Sequence, residues 1–329
     1  MQKKTNVKFK TAIGGQALIE GIMMRGPEKD AIVVRKDGQL HVEVKDRKVR
    51  SKKSIANWPL IRGAVNFLSA QVCGVKALMR SADLSGELEE ETPSKLDIWL
   101  EKHIGKNGFE RLIIGVGVAL GLGLSIALFF LLPMLVSSLL DGVITNLILL
   151  NLVEGAVRLT IFVAYMLLVS RMKEMRRVFA YHGAEHKTIR CYEAGLPLTV
   201  ENIREQTRLH PRCGTSFLLV VMIISILVFS VASTVLLQLI PQLNLIRGQF
   251  IYKLIMVAFK LLLLPVVVAI SYEINRWAGR HDNWLTKVMT APGMWFQHFT
   301  TCEPDDTMIE VGIASLEAVL PSEEGADRW

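Results

Sequence analysis

Across 329 residues, a hydrophobic content of 51% and a mean hydropathy of +0.35 point to a membrane protein, although the length would allow two domains or one large one. The formal net charge is +7, from 38 Lys and Arg against 31 Asp and Glu. The four cysteines, Cys73, Cys191, Cys213 and Cys302, include no Cys-x-x-Cys pair. That argues against a disulfide framework and leaves a metal ligand or an inert buried thiol.

Residues 1–54 are soluble in character and predict a small β-containing region. Segments 30–34 and 39–44 flank Lys36-Asp37-Gly38, a hairpin signal because Asp-Gly tolerates the positive φ of a tight turn. Gly14-Gly15 predicts a turn into a further strand or a short helix. No Gly-Lys-Ser/Thr follows, so these glycines are not a nucleotide loop. Gln16, Glu20 and Arg25 interrupt the apolar core that a cleaved signal would need. The basic run 45–53 reads as charge that orients the chain and touches anionic lipid. RNA is the alternative, weakened by the lack of interleaved aromatic residues, and DNA is not an expected partner.

Residues 55–110 predict an amphipathic helix and a linker. Trp58, Ile61, Val65, Leu68, Val72, Val75 and Met79 form one apolar stripe over 55–82, for a helix lying on the membrane or packed against a bundle, and 86–94 is acidic and polar. Four apolar runs, 112–140, 143–170, 217–240 and 250–272, reach the roughly 20 residues that a bilayer requires. The first pair, within 111–172, is broken only by Asp141-Gly142 and Thr145-Asn146 and reads as a helical hairpin. The second pair occupies 217–272.

Glu154 and Arg158 lie inside the second run and Lys260 inside the fourth. Charges at that depth cost several kcal/mol unless paired. Their similar depth predicts a Glu154–Lys260 contact, with Glu154–Arg158 as an i,i+4 alternative. Such an intramembrane cluster serves as a polar clamp or as a path for a proton or substrate. So few polar groups make a poor transporter.

Lys and Arg concentrate before the first run and in 173–216, whereas the 141–146 turn has none and the 241–249 loop only Arg247. Both termini and the 173–216 loop are therefore expected on the cytoplasmic side of a multi-pass inner-membrane protein. In the C-terminal region 273–329, Pro292-Gly293 predicts a chain break, and Asp305-Asp306 a capped helix to about residue 320.

The chemistry concentrates in 173–216. On a helix His182, Glu185 and His186 share a face, so two imidazoles can chelate one divalent metal with a carboxylate beside them as base. Glu193 returns to that stripe about 10 Å further along, too far for the same ion unless the helix ends early. Gly195 and Pro197 stop the helix, and a second short helix at 200–208 would return His210 and Cys213 towards it. With His182, His186, His210 and Cys213 all bound, the site is closed and structural. With one of them away, an open position admits water and Glu185 becomes the proton acceptor. Alternatively, these groups simply sit in the headgroup layer.

The runs from Gly14 to Pro27, Tyr181 to Glu193, His210 to Phe217 and Thr300 to Met308 resemble, in the same order, the YqhQ family of bacterial membrane proteins. The family has no established function. The resemblance implies a metal-dependent enzyme and the site residues His182, Glu185, His186, His210 and Cys213. Family genes lie near those for peptide release factors, which implies a role in membrane-protein biogenesis.

Together these readings predict an α-helical integral membrane protein with four transmembrane helices and a small cytoplasmic α+β N-terminal region. It would carry a divalent metal, zinc first, and hydrolyse a lipid-linked or peptide substrate with Glu185 as catalytic base. Glu193, Arg212, Arg25 and Glu20 would support the ligands or clamp an anion. The alternative is a non-enzymatic biogenesis factor with a structural metal, contacting a translocon, insertase or ribosome.

Overall fold

The computed structural model describes residues 7–47, 54–86, 103, 105–140, 142–281, 283–323 and 325–328. The basic run beyond Arg47, nearly all of the acidic linker and Asp141 lie outside these residues. The chain divides into two compact units: Met1–Leu88, Met166–Met222 and Pro265–Trp329 form one, and Glu89–Tyr165 with Ile223–Leu264 the other.

The first unit begins with an antiparallel meander of four strands, β1 (Gly14–Leu18), β2 (Gly21–Arg25), β3 (Lys29–Lys36) and β4 (Gln39–Asp46), in the order β1-β2-β3-β4. Asp37 and Gly38 both take positive φ, 51° and 78°, as a two-residue hairpin turn requires. The segment after Gly14-Gly15 is a second hairpin, closed at Ile19-Glu20, with Glu20 at φ 50°. The sheet therefore has two strands more than the Asp-Gly signal alone indicates. β2 is buried on both faces: Ile22 and Met24 pack with Ala180, Tyr181 and Ala184, while Met23 packs with Ala77.

Helix α1 (Ile61–Ser85) supplies Ala77. It starts later than the apolar stripe predicts, because Pro59 cannot donate to a helical ladder and separates it from a 3-10 turn at Ile55–Asn57.

The second unit holds α2 (Lys106–Ile126), a π-turn at Ala127–Leu131, α3 (Leu132–Ser138), and most of α4 (Leu147–Val169). Proline at position 133 has no N–H for the Phe129 carbonyl, and Arg158 Nε donates to that carbonyl at 2.7 Å. Arg158 also reaches Glu154 Oε1 at 2.7 Å, and Lys260 Nζ meets the two Glu154 oxygens at 2.5 and 2.6 Å. Both of the pairings expected as alternatives are thus present at once.

Helices α5 (Lys173–Glu193), α6 (Val200–Arg204), α7 (Gly214–Leu239), α8 (Phe250–Arg280), α9 (Trp284–Thr300) and α10 (Asp306–Glu317) follow. Among the described residues, four segments are long and apolar enough to cross a membrane: Gly115–Ser138, Leu147–Val169, Gly214–Leu239 and Phe250–Arg280. α8 outruns its apolar run because Glu273, in its polar continuation, binds Arg62 of α1 at 2.6 Å.

The break expected at Pro292-Gly293 does not occur: α9 continues through both residues. Pro292 lies on the exposed face, where the carbonyl it leaves unpaired remains near solvent, and Gly293 is buried with no room for a Cβ beside Ser216.

Candidate metal centre

α5 is a polar helix whose second half is buried nearly all round, including Glu185, His186, Lys187 and Thr188. Such a segment needs partners for its polar groups. It packs on β1 and α10, and Gly183 lets it approach the Cys302 carbonyl, where a Cβ would collide. Lys187 Nζ donates to Arg204 O at 3.0 Å and to Glu303 Oε1 at 2.7 Å.

His182, His186 and Cys213 each offer a donor atom, all within 4.8 Å of one another. His182 Nε2 lies 3.2 Å from Cys213 Sγ, and the two imidazole centroids are 4.3 Å apart. Each ring is oriented by a backbone carbonyl: His182 Nδ1 meets Thr300 O at 2.8 Å, and His186 Nδ1 meets Arg208 O at 2.6 Å. A carbonyl only accepts, so Nδ1 carries the proton in both rings and Nε2 is left for another partner. Cys213 sits just before the N-terminus of α7, with the Thr215 hydroxyl 3.1 Å and the Thr215 amide 3.4 Å from its sulfur.

The electrostatics fit a shared cation. Burial pushes the Cys213 thiol up, but His182 and His186 outweigh it and hold the thiol well below its ordinary value. Burial alone would lower His182; the neighbouring Cys213 instead raises it to about 9. The pair thus holds a proton between nitrogen and sulfur, the place a metal ion would take. Glu185 is raised by burial against the opposing pull of His182 and His186. Its Oε1 accepts from Gly15 N–H at 3.0 Å, while Oε2 is buried without a hydrogen-bond partner among the described residues. A Cβ on Gly15 would lie 2.9 Å from the Glu185 carboxyl carbon, so only glycine admits this contact without a shift.

The other expected residues lie outside this group. His210 Nε2 faces Glu193 Oε2 at 3.3 Å, and its Nδ1 accepts from Arg212 N–H at 3.4 Å, so both ring nitrogens are engaged away from the cluster. Glu193 also accepts from Thr11 N–H at 2.9 Å and from Arg212. Burial, followed by Arg190, pushes His210 down to about 3. Glu20 binds Arg177 and Tyr181, and Arg25 pairs with Asp30 at 3.3 Å.

Several supports have no side-chain signature in the sequence: the Thr300 and Arg208 carbonyls and the Gly15 amide. Gln297 was equally silent. Its fully buried amide takes His210 N–H at 2.7 Å and donates to His210 O at 2.7 Å and Ser216 Oγ at 2.8 Å, clamping the segment that presents Cys213.

Fold and site define a helical protein that has, among the described residues, four membrane-length apolar segments and a buried His/His/Cys cluster geometrically able to hold a metal. The chain belongs to the family described as a protein of unknown function (DUF1385), whose model matches residues 58–322. It is 32% identical over 316 residues to the uncharacterized protein YqhQ of Bacillus subtilis (strain 168), covering 95% of this chain and 93% of that one. The family expected from the four motifs is thus the family found. No solved structure matches the chain.

Proposed function

We propose that this chain is a multi-pass membrane protein that binds a divalent metal, zinc first, through His182, His186 and Cys213, and acts as a metal-dependent hydrolase at the cytoplasmic surface. One observation carries the metal reading: both imidazoles are locked by backbone carbonyls at Nδ1, which turns Nε2 towards a stabilised thiolate as the atom left to bind a metal. Two nitrogens and one sulfur suit zinc, and three protein ligands are the number found where a position stays open for chemistry. A metal bound there would supply Lewis acidity to a water or a substrate oxygen.

The chain's own residues supply the rest. Gly15 N–H fixes Glu185 Oε1, and the unpartnered Oε2 takes up a proton during hydrolysis of a lipid-linked or peptide substrate. The raised proton affinity of this buried carboxyl suits a general base. Four apolar helices support insertion in a membrane, and the Lys and Arg distribution supports cytoplasmic termini.

The burial of His186 and Cys213, 2% and 6% exposed, favours a second reading. There the metal only staples α5 to the segment that carries Cys213, and the protein serves membrane-protein biogenesis beside a translocon, insertase or ribosome. Glu185→Gln separates the two. Retained metal and fold with lost cellular function supports hydrolysis; retained metal with full function contradicts it and leaves the structural centre.

A further inference from the structure

A groove of about 770 Å³ in the first unit has Cys213 in its wall. That volume lies within the roughly 300–1,000 Å³ of small-molecule sites. Its lining divides by chemistry. Arg25, Arg47 and Arg212 supply positive charge, and no Asp or Glu among the described residues lines it. Asp30 holds Arg25, and the Gly26 carbonyl, 3.0 Å from Arg47 Nη1, holds Arg47. The guanidinium groups are therefore oriented before any ligand arrives, which lowers the cost of binding. Phe67 of α1 and Phe217 of α7, with ring centroids 6.1 Å apart, and Tyr272 of α8 also line it.

We propose that this groove binds a phosphate-bearing lipid, with the phosphate on Arg25 and Arg47 and the acyl chain along Phe67 and Phe217. Arg47 is held by a carbonyl and keeps its full charge, Arg25 shares its own with Asp30 and Arg212 with Glu193, and the planar fork of Arg matches phosphate oxygens. The aromatic wall calls for an apolar tail. Position selects a lipid over a free phosphate: Gly214 and Phe217 lie in the first turn of one membrane-length helix, and Tyr272 ends the apolar run of another. A lipid headgroup lies at the level where such helices leave the apolar layer. Cys213 lines the same groove, so a lipid held there would share that space with the His/Cys cluster. The inference rests on the proposed metal centre in one respect: it makes this lipid the substrate class of that centre.

The test is equilibrium binding of a fluorescent short-chain phosphatidic acid to the purified full-length protein in dodecyl maltoside. Unlabelled phosphatidic acid should displace the probe, whereas inorganic phosphate and short-chain diacylglycerol should not. Arg25→Gln/Arg47→Gln should weaken binding by at least about tenfold with metal content unchanged, and the double Lys variant should recover part of it. Phe67→Ala, which leaves both arginine contacts intact, should weaken it as well. Displacement by inorganic phosphate or by diacylglycerol as effective as that by phosphatidic acid would overturn the proposal, as would an unchanged Kd in the variants. The two readings fail separately. His182→Ala with metal lost and lipid still bound leaves the groove standing, whereas metal bound without lipid affinity removes only the groove.

Discussion

At the scale of single residues, the proposed function rests on atoms that lack partners or have their partners fixed. Glu185 keeps one oxygen on the Gly15 amide and buries the other unpaired, a costly arrangement unless another group completes it. Glu185→Gln preserves shape and is expected to leave metal content and melting temperature near wild type while abolishing any hydrolytic turnover, measured by metal analysis beside cellular complementation. His210 makes a different prediction. It is held neutral, with its pKa moved from 6.5 to about 3. Its contribution to stability is full above pH 6.5 and declines as pH falls towards about 3, because only the unfolded chain takes up the proton there. The slope amounts to at most roughly 1.4 kcal/mol per pH unit. The wild-type melting temperature should therefore fall between pH 6.5 and 5 more steeply than that of His210→Gln, and equal slopes would contradict this account. The convergence of His182, Glu185 and His186 was legible in the sequence, since helical spacing fixes it. The diversion of His210 to Glu193 was not: it depends on a backbone amide from Thr11 and on the Arg212 guanidinium, which meet only in the folded chain.

At the scale of elements, polar helix α5 is the organising piece, wedged between β1 and α10 and faced by the segment that Gln297 clamps. Gln297→Leu would leave the His210 amide and carbonyl buried without a bond, at about 1–3 kcal/mol for each group. The expected result is a lower melting temperature and faster loss of metal in a chelator titration, because Cys213 is no longer held against the imidazoles. A variant with wild-type metal retention would show that the segment is fixed by other contacts. The β3–β4 hairpin was legible from Asp37-Gly38, and α10 from its Asp305 cap. The β1–β2 hairpin was not, because five-residue strands joined by Ile19-Glu20 carry no glycine or asparagine at the turn. The continuity of α9 through Pro292 was hidden as well, since the penalty of a proline depends on which face of the helix it occupies.

At the scale of the whole molecule, four apolar helices were read from composition and length alone, and the structure places them within a few residues of those limits apart from the longer α8. The distribution of Lys and Arg supports the proposal that both termini and the His/His/Cys cluster face the cytoplasm. An alkaline phosphatase fused after residue 243 should accordingly be active and one fused at the C-terminus inactive; the reverse pattern would invert the topology. The central claim is that His182, His186 and Cys213 form a metal centre. Its most direct test is elemental analysis of the full-length protein purified without added metal, beside His186→Ala and Cys213→Ser. The account predicts about one zinc per chain in the wild type, lost in both variants while the far-ultraviolet spectrum stays helical. Wild-type protein free of any transition metal, or metal retained undiminished in both variants, would contradict it.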